Sequence, residues 1–367
     1  MAEIIINNVK KSFGDFNAVK GSTFTINDGE FFVMLGPSGC GKTTTLRMIA
    51  GLEIPTSGEI LLGSEDVTFL PASQRDTAFV FQMFALYPHM NVESNISFPL
   101  KCQGYKKQII KKKVERVAEI LQIEHILKSP VGGLSAGDKQ RVSLGRAIIR
   151  DPKAFLMDEP LGALDTEFRH VMCNELRDLH NEMNATTVYV THDQMEAMSM
   201  ADKILVMNHG TIEQFGEPQK LYDYPLSMFV ADFLGDPSMN FLKFSSVIKA
   251  GDTVLKMNER VSVNIPKILS NYGSGDFVLG VRPEYVSFSN SSQLRGNIFA
   301  TEYYGTTQIV IVKTDFGMVK ARASISKKFT VGDSLGLVFS KKSIVIFHEK
   351  SGKALKNEIY DRLKIHG

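Results

Sequence analysis

Ten consecutive residues, Gly36-Pro37-Ser38-Gly39-Cys40-Gly41-Lys42-Thr43-Thr44-Thr45, carry the spacing G-x-x-x-x-G-K-[ST]. Glycines at these positions let the main chain turn tightly with its N–H groups pointing inward. A helix opening near Lys42 adds the positive end of its dipole at the same point. Lys42 is then placed to reach the β- and γ-phosphates of a nucleotide, and the Thr43 hydroxyl to ligate Mg²⁺. The apolar run Phe31-Phe32-Val33-Met34-Leu35 before the loop and the helical pattern Leu46-Arg47-Met48-Ile49-Ala50 after it supply the strand and helix this chemistry needs. The motif specifies nucleotide and magnesium. It does not separate a kinase, a GTPase, a helicase or a transport engine.

A second group of candidates lies at Phe155-Leu156-Met157-Asp158-Glu159-Pro160. The apolar run places Asp158 at the carboxyl end of a buried strand, where open α/β sheets bind ligands. One carboxylate there can hold Mg²⁺, and its neighbour Glu159 can polarise an attacking water. Adjacent strand residues point to opposite faces, so Glu159 serves only if the chain turns at that residue, and Pro160 favours such a turn. Val188-Tyr189-Val190-Thr191-His192-Asp193 repeats the logic on another strand, with His192 placed to donate to a γ-phosphate oxygen.

These residues need a scaffold, and the first two thirds of the chain alternate short apolar runs with 3.6-period segments, the signature of a parallel α/β sheet. The expected strands are 31–35, 78–81, 154–157, 187–190 and 203–207. Residues 84–150 read as a helical insert. Within it, Ile110, Val114, Val117 and Leu121 form one stripe, and Lys107, Lys111, Lys112 and Glu115 lie off it as a solvated face. A turn cluster, Phe233-Leu234-Gly235-Asp236-Pro237-Ser238, precedes short strands punctuated by Gly, Asn and Ser. Gly280-Val281-Arg282-Pro283, 308–312 and 343–347 are examples. The expected domains are therefore 1–235 and an all-β module, 236–367. The last residues, 357–367, with Ile359, Leu363 and Ile365 among charges, read as a short packed helix or a loose end.

The bulk numbers fit two ordinary globular domains: 367 residues, 43% apolar and 22% charged. A formal net charge of +2 gives no sign of a nucleic-acid partner. Cys40, Cys102 and Cys173 lack metal-ligand spacing and read as reduced thiols. Neither a signal peptide nor an apolar stretch of the ~20 residues that span a bilayer is expected. Any membrane role then runs through a partner. A helix N-terminus lowers a thiol pKa, which would make Cys40 open to alkylation and a redox switch. The favoured reading is a small side chain tolerated in a loop, and protection from alkylation by ATP would place it in the site.

Gly133-Leu134-Ser135-Ala136-Gly137-Asp138-Lys139-Gln140-Arg141 resembles the LSGGQ signature of ABC ATPases and lies ahead of the acidic strand, as in that family. Gly36 to Thr43, Gln82 in Phe79-Val80-Phe81-Gln82, Asp158-Glu159, Ala163-Leu164-Asp165 and Thr191-His192-Asp193 complete the ordered set. Phe84-Ala85-Leu86-Tyr87-Pro88-His89-Met90, Met157 to Asp165 and Thr191 to Met198 are similar to the ATPase subunits of maltose-type carbohydrate importers. Asp236-Pro237-Ser238-Met239-Asn240-Phe241 and Gly280 to Glu284 resemble the OB-like regulatory tail of that subfamily. The implied fold is an α/β P-loop ATPase domain with a helical subdomain, followed by an all-β OB-like regulatory domain.

The resemblance implies two copies that sandwich two ATP molecules head to tail. Ser135 and the Gly137 backbone would donate to the γ-phosphate held by the other copy's phosphate loop, with Asp138 beside them. Gln82 would touch Mg²⁺ and the attacking water, Glu159 would be the general base, and His192 would clamp the γ-phosphate. Asp165 would connect the two sites, and Phe13 would stack on adenine. Implied partners are transmembrane permease subunits, an extracytoplasmic substrate-binding protein reached through them, and a regulatory protein on the tail. The expected place of work is the cytoplasmic face of the membrane. Polyamine, phosphonate, sulfate and iron importers share these motifs, and a soluble ABC protein of another class is a further alternative. Two positions of the signature depart from the family pattern: Ala136 stands where it has Gly, and Asp138 where it has Gln; Gly162, where the family often has Ser, is a mild variation. Asp138 would bring negative charge towards a polyanion unless it points away or pairs with a base such as Lys139. Weaker contact between copies or slower turnover than in a chain with the consensus signature is expected.

Overall fold

The computed structural model describes residues 2–162, 164–183 and 185–363. Ala163, Asn184 and Ile365 lie outside the described residues. The chain divides into two compact units, Met1–Pro218 and Gln219–Gly367.

The first unit runs β1 (Ile4–Phe13), β2 (Phe16–Ile26), β3 (Phe31–Leu35), α1 (Lys42–Ala50), β4 (Ser57–Leu62), β5 (Glu65–Asp66), β6 (Thr77–Val80), α2 (Val92–Cys102) and α3 (Lys107–Ile120). It continues with α4 (Ala136–Ile148), β7 (Ala154–Asp158), α5 (Thr166–Met183), β8 (Thr186–Thr191), α6 (Gln194–Met200), β9 (Lys203–Asn208) and β10 (Thr211–Gly216). β3, β7 and β8 are buried along their whole length. Strands covered on both faces read as unbroken apolar runs, which is why the sequence shows them clearly.

The central sheet has the order β10-β9-β3-β8-β7-β6, parallel except for β10. That order sets side by side the loop after β3, His192 after β8, Asp158 and Glu159 at the end of β7, and Gln82 after β6. A second, antiparallel sheet, β2-β1-β4-β5, packs through Ile4, Ile6, Phe24, Ile26 and Ile60 on the α1 side of the core. None of its strands is among the expected core strands. In α3, Ile110, Val114 and Val117 are buried as the stripe requires, and α2, α3 and α4 make up the helical insert. Among the described residues no helix is long and apolar enough to cross a membrane.

The second unit opens with α7 (Pro218–Asp223) and α8 (Met228–Phe233). There follow β11 (Asn240–Ile248), β12 (Val254–Lys256), β13 (Ser262–Asn264), β14 (Gly273–Val281), β15 (Val286–Phe288), β16 (Arg295–Tyr304), β17 (Thr307–Thr314), β18 (Gly317–Ser324), β19 (Ser334–Phe339), β20 (Ile344–His348) and α9 (Glu358–Arg362). Its sheets have the orders β11-β14-β20, β12-β13 and β15-β19-β16-β17-β18, with a core that includes Leu242, Phe277, Leu279, Val310 and Ile346 and a second cluster that includes Val278 and Phe347.

The division at Pro218 precedes the expected turn at Gly235, and Arg282 supplies the reason. Its buried guanidinium donates to the carbonyls of Tyr222, Ala231 and Leu234, which ties α7 and α8 to the β unit. Arg282 and Pro283, expected in a strand, leave β14 for a short 3₁₀ turn that begins at Pro283. At the end of the chain Asn357 caps α9 through the N–H groups of Ile359 and Tyr360, so the described part of the tail is a packed helix.

Candidate functional site

β3 ends at Leu35 and the chain enters the loop of Gly36 to Gly41. Gly41 caps α1 with φ +106, and a Cβ there would lie 2.6 Å from the Ala18 carbonyl oxygen of β2. Only glycine fits both the backbone angle and the contact. No side chain caps α1 and its first turn holds no acid. Its leading N–H groups are thus free for an anion. Lys42 is buried, and its Nζ donates to the carbonyl oxygens of Gly36 (2.7 Å) and Pro37 (3.0 Å). Cys40 accepts Gly210 N–H on its carbonyl oxygen at 3.0 Å. Its thiol is buried, and burial raises the pKa, with the Lys42 charge offsetting part of that rise. Burial therefore opposes the activation that a helix N-terminus would give this thiol.

Thr43 Oγ1 donates to Asp158 Oδ1 at 2.8 Å. Burial raises the Asp158 pKa, and the Thr43 bond opposes the rise. Glu159 follows with φ +44, and its N–H donates to the Val190 carbonyl oxygen at 3.0 Å. This left-handed residue is the turn that brings Glu159 to the same end of the sheet as Asp158. Gln82 Nε2 donates to Glu159 Oε2 at 3.3 Å, and His192 Nδ1 stands 3.2 Å from the same oxygen. The Glu159 side chain is 18% exposed and that of His192 54% exposed. Two residues that β6 and β8 deliver from either side of β7 thus converge on one carboxylate.

Arg169 is a residue that the sequence reading missed. It lies one helical turn after Asp165 on α5. Nη1 bonds Asp193 Oδ2 at 2.9 Å, Nη2 donates to the Leu164 carbonyl oxygen at 3.1 Å, and Nε lies 3.5 Å from Glu196 Oε1. Tyr189 and Thr191 both donate to the buried Glu196, at 2.8 and 2.6 Å. This network fixes the His192 turn against the start of α5. Asp165 Oδ1 itself accepts Phe168 N–H at 2.9 Å. Arg146 on α4 was missed as well: it donates to the carbonyl oxygens of Ala85 (2.6 Å) and Phe84 (3.3 Å). Asn95 on α2 holds both backbone groups of Tyr87. In sequence both read as ordinary helix residues.

Ser135 caps α4. Its Oγ accepts Asp138 N–H at 3.1 Å and donates to Asp138 Oδ2 at 2.7 Å. Asp138 faces Arg141 Nη1 at 3.9 Å rather than Lys139. A Cβ on Gly137 would lie 2.3 Å from the Phe168 ring, so the start of α4 abuts α5. The Ala136 methyl is exposed. Among the described residues, the bonds of Ser135 and Asp138 run within this cluster and not to the phosphate loop of the same chain. Phe13 stands 48% exposed at the β1–β2 turn, with Lys11 Nζ 4.8 Å from its ring centre.

A family model described as ABC transporter matches residues 19–162, and a TOBE domain model matches residues 279–347. The chain is 41% identical to the trehalose/maltose import ATP-binding protein MalK of Thermococcus litoralis, over 97% of this chain and all (100%) of that one. It is 40% identical to the lactose transport ATP-binding protein LacK of Rhizobium radiobacter, with the same coverage, 97% and 100%. A solved ATP-binding cassette, MJ0796, a dimer in a post-hydrolysis state bound to ADP and Pi, superposes with a TM-score of 0.53 at 29% identity. That match covers 59% of this chain and 98% of the other. Similarity over nearly the whole length, joined to the loop, acidic strand end and signature described above, shows that this chain belongs to the ATP-binding, ATP-hydrolysing subunits of ABC transporters.

Proposed function

We propose that two copies of this chain close on two ATP molecules at the cytoplasmic face of a membrane and power the uptake of a sugar. The observation that carries the catalytic part is the convergence of Gln82 and His192 on Glu159 Oε2 beside the Thr43–Asp158 bond. Thr43 and Asp158 offer hard oxygen donors 2.8 Å apart, and among the described residues no cation is in bonding contact with the buried carboxylate. Both features suit Mg²⁺, which these two residues would hold with Gln82 and which, when bound, neutralises phosphate charge.

The rest of the chemistry belongs to the side chains. Lys42 exchanges its two carbonyl acceptors for β- and γ-phosphate oxygens. Gly36, Pro37, Ser38, Gly39, Cys40, Gly41, Thr43 and Thr44 wrap the phosphates from the loop and the bare end of α1. Glu159 takes a proton from water as the water oxygen bonds to the γ-phosphorus. The bond from that phosphorus to the bridging oxygen breaks, and ADP and phosphate leave. His192 orients Glu159 and reaches the γ-phosphate. Phe13 stacks on adenine, Ser135 and Gly137 meet the other copy's γ-phosphate, and Asp165 links the two sites.

The sugar assignment rests on the relatives named for trehalose, maltose and lactose. The partners are transmembrane permease subunits and, through them, an extracytoplasmic binding protein. A cleft of about 310 Å³ between Phe79, Phe81, Tyr87, Pro99 and Arg146 receives the permease, and Met83, two residues after Phe81 in the chain, is 73% exposed. The TOBE-containing unit receives a regulatory protein.

Glu159→Gln tests the core of this reading. With Mg-ATP the variant is expected to lose hydrolysis by about a hundredfold or more and to sediment as a closed dimer. Hydrolysis within threefold of the unmodified chain would remove Glu159 from the role of base.

A further inference from the structure

Two helices in the first unit point their N-termini at phosphate in the reading above, and their ends differ. α1 begins without a side-chain cap and without an acid in its first turn. α4 begins with both: Ser135 as its cap and Asp138 in its first turn. A helix N-terminus favours negative charge, and a side-chain carboxylate meets that preference as a phosphate does.

A serine hydroxyl has one proton to donate. In Ser135 it points to Asp138 Oδ2 at 2.7 Å, while the same oxygen accepts Asp138 N–H at 3.1 Å. Donation to an ionised acceptor is stronger than donation to a neutral one. For Ser135 to donate to a phosphate oxygen, this proton must turn away. The Asp138 carboxylate is then left without its donor and close to a polyanion. Arg141 is the nearby cation, with Nη1 3.9 Å from Asp138 Oδ1. Its Nη2 and Nε are held by Glu175, at 2.7 and 3.2 Å. Arg141 therefore compensates Asp138 only in part.

We infer that Asp138 is a positioning residue that holds the Ser135 hydroxyl in its own helix and so sets the ATP concentration at which two copies close. The inference rests on the reading that Ser135 meets ATP bound to a second copy. In this chain the signature helix carries its own anion, and ATP competes with it.

An amide at position 138 separates this role from simple packing. A carboxylate only accepts, whereas a carboxamide also donates. In Asp138→Asn the side-chain N–H can donate to Ser135 Oγ and release the hydroxyl proton outwards. Glu175→Gln acts from another helix: it loosens the fork on Arg141 and lets that cation neutralise Asp138.

The test measures closed dimer by sedimentation against Mg-ATP concentration, each variant in a Glu159→Gln background, and steady-state hydrolysis in chains that keep Glu159. Asp138→Asn is expected to lower the half-closing ATP concentration by about tenfold, a change of about 1.4 kcal/mol. Hydrolysis at sub-saturating ATP is expected to rise with closure, because closure precedes the step that Glu159 catalyses. Glu175→Gln is expected to shift closure in the same direction by a smaller factor. An unchanged or raised half-closing concentration in Asp138→Asn overturns the inference, and so does a fall in turnover as large as the gain in closure. If Asp138→Asn does not fold, Glu175→Gln decides by the same criterion.

Ser135→Ala separates the two layers of the argument. If it leaves closure unchanged, the reading of Ser135 as a contact between copies fails. If it weakens closure while Asp138→Asn has no effect, that reading stands and the positioning role of Asp138 fails alone.

Discussion

His192 Nδ1 lies 3.2 Å from Glu159 Oε2, so the histidine of one strand end faces the carboxylate of the next. Neutral imidazole has one N–H. If Nδ1 uses it on Glu159, Nε2 is an acceptor and cannot donate to a phosphate oxygen. Service to both partners requires either the doubly protonated ring or release of Glu159 when ATP arrives.

His192→Gln should therefore damage chemistry more than binding. A glutamine keeps one donor but does not span both groups. Phosphate release at saturating Mg-ATP is expected to fall by about a hundredfold, with nucleotide affinity within about threefold of the unmodified chain. A rate within threefold would show that His192 is a structural neighbour of Glu159 and not part of the reaction.

Asp158 gives a pH-dependent stability with a defined sign. Burial raises its folded-state pKa. Its contribution to stability is then fully present below the unfolded carboxylate pKa and is lost as pH rises through the raised folded value. Once ionised, Asp158 in the nucleotide-free protein carries a charge that burial disfavours. Asp158→Asn keeps an acceptor for Thr43 and removes that charge. Its melting temperature should rise by about 2 °C at pH 7.5, and the advantage should shrink as the pH falls through the folded pKa. Mg-ATP should reverse the order, because linkage stabilises the chain that binds it. A variant less stable than the unmodified chain at every pH without nucleotide would contradict this account.

Much of the site was legible because its signals are local. The loop from Gly36 to Thr43 depends on backbone freedom and a helix start, both written in consecutive residues. Strands β3, β7 and β8 are buried on both faces, and unbroken apolar runs announce them. What stayed hidden depends on neighbours distant in sequence. The resemblance put Gln82, Glu159 and His192 in one site, but the order β3-β8-β7-β6 that brings them together is carried by no periodicity. Asp138 has Lys139 beside it in sequence and Ser135 and Arg141 beside it in space, because a helix turns every 3.6 residues. The antiparallel sheet β2-β1-β4-β5 escaped because its strands are half exposed and mixed in pattern.

Cys40 illustrates a local rule reversed by packing. A helix N-terminus alone lowers a thiol pKa, but burial dominates here and raises it. Cys173 is buried too, and burial pushes its thiol up to about 11. Cys102 is exposed. Brief treatment with iodoacetamide at pH 7.5 should label Cys102 well ahead of the other two, with or without Mg-ATP. Peptide mass spectrometry reads this directly. Fast labelling of Cys40 that ATP suppresses would restore the reactive-thiol reading.

The second unit depends on a buried charge. Arg282 Nη1 donates to the carbonyl oxygens of Ala231 (2.9 Å) and Leu234, and Nη2 and Nε donate to that of Tyr222 (3.0 and 3.2 Å). Its guanidinium carbon lies 4.1 Å from the centre of the Tyr222 ring. Burial lowers its pKa, but a guanidinium stays charged at any pH where the protein folds. The carbonyls at the end of α8 have Arg282 as their cap. Arg282→Met keeps the length and removes every donor, so the buried carbonyls of Ala231 and Leu234 and the half-buried one of Tyr222 lose this partner. The expected loss is about 3 kcal/mol, since an unsatisfied buried polar group costs roughly 1–3 kcal/mol and shared geometry keeps the losses from adding fully. Arg282→Lys should recover only part of it, because an ammonium lacks the planar fork that reaches both helices. Urea unfolding followed by tyrosine fluorescence suits a chain with ten tyrosines and no tryptophan. Nucleotide binding at the phosphate loop should be unchanged in both variants. A loss below about 0.5 kcal/mol in Arg282→Met would mean that water replaces the guanidinium at these carbonyls. The division of the chain at Pro218 would then need another explanation.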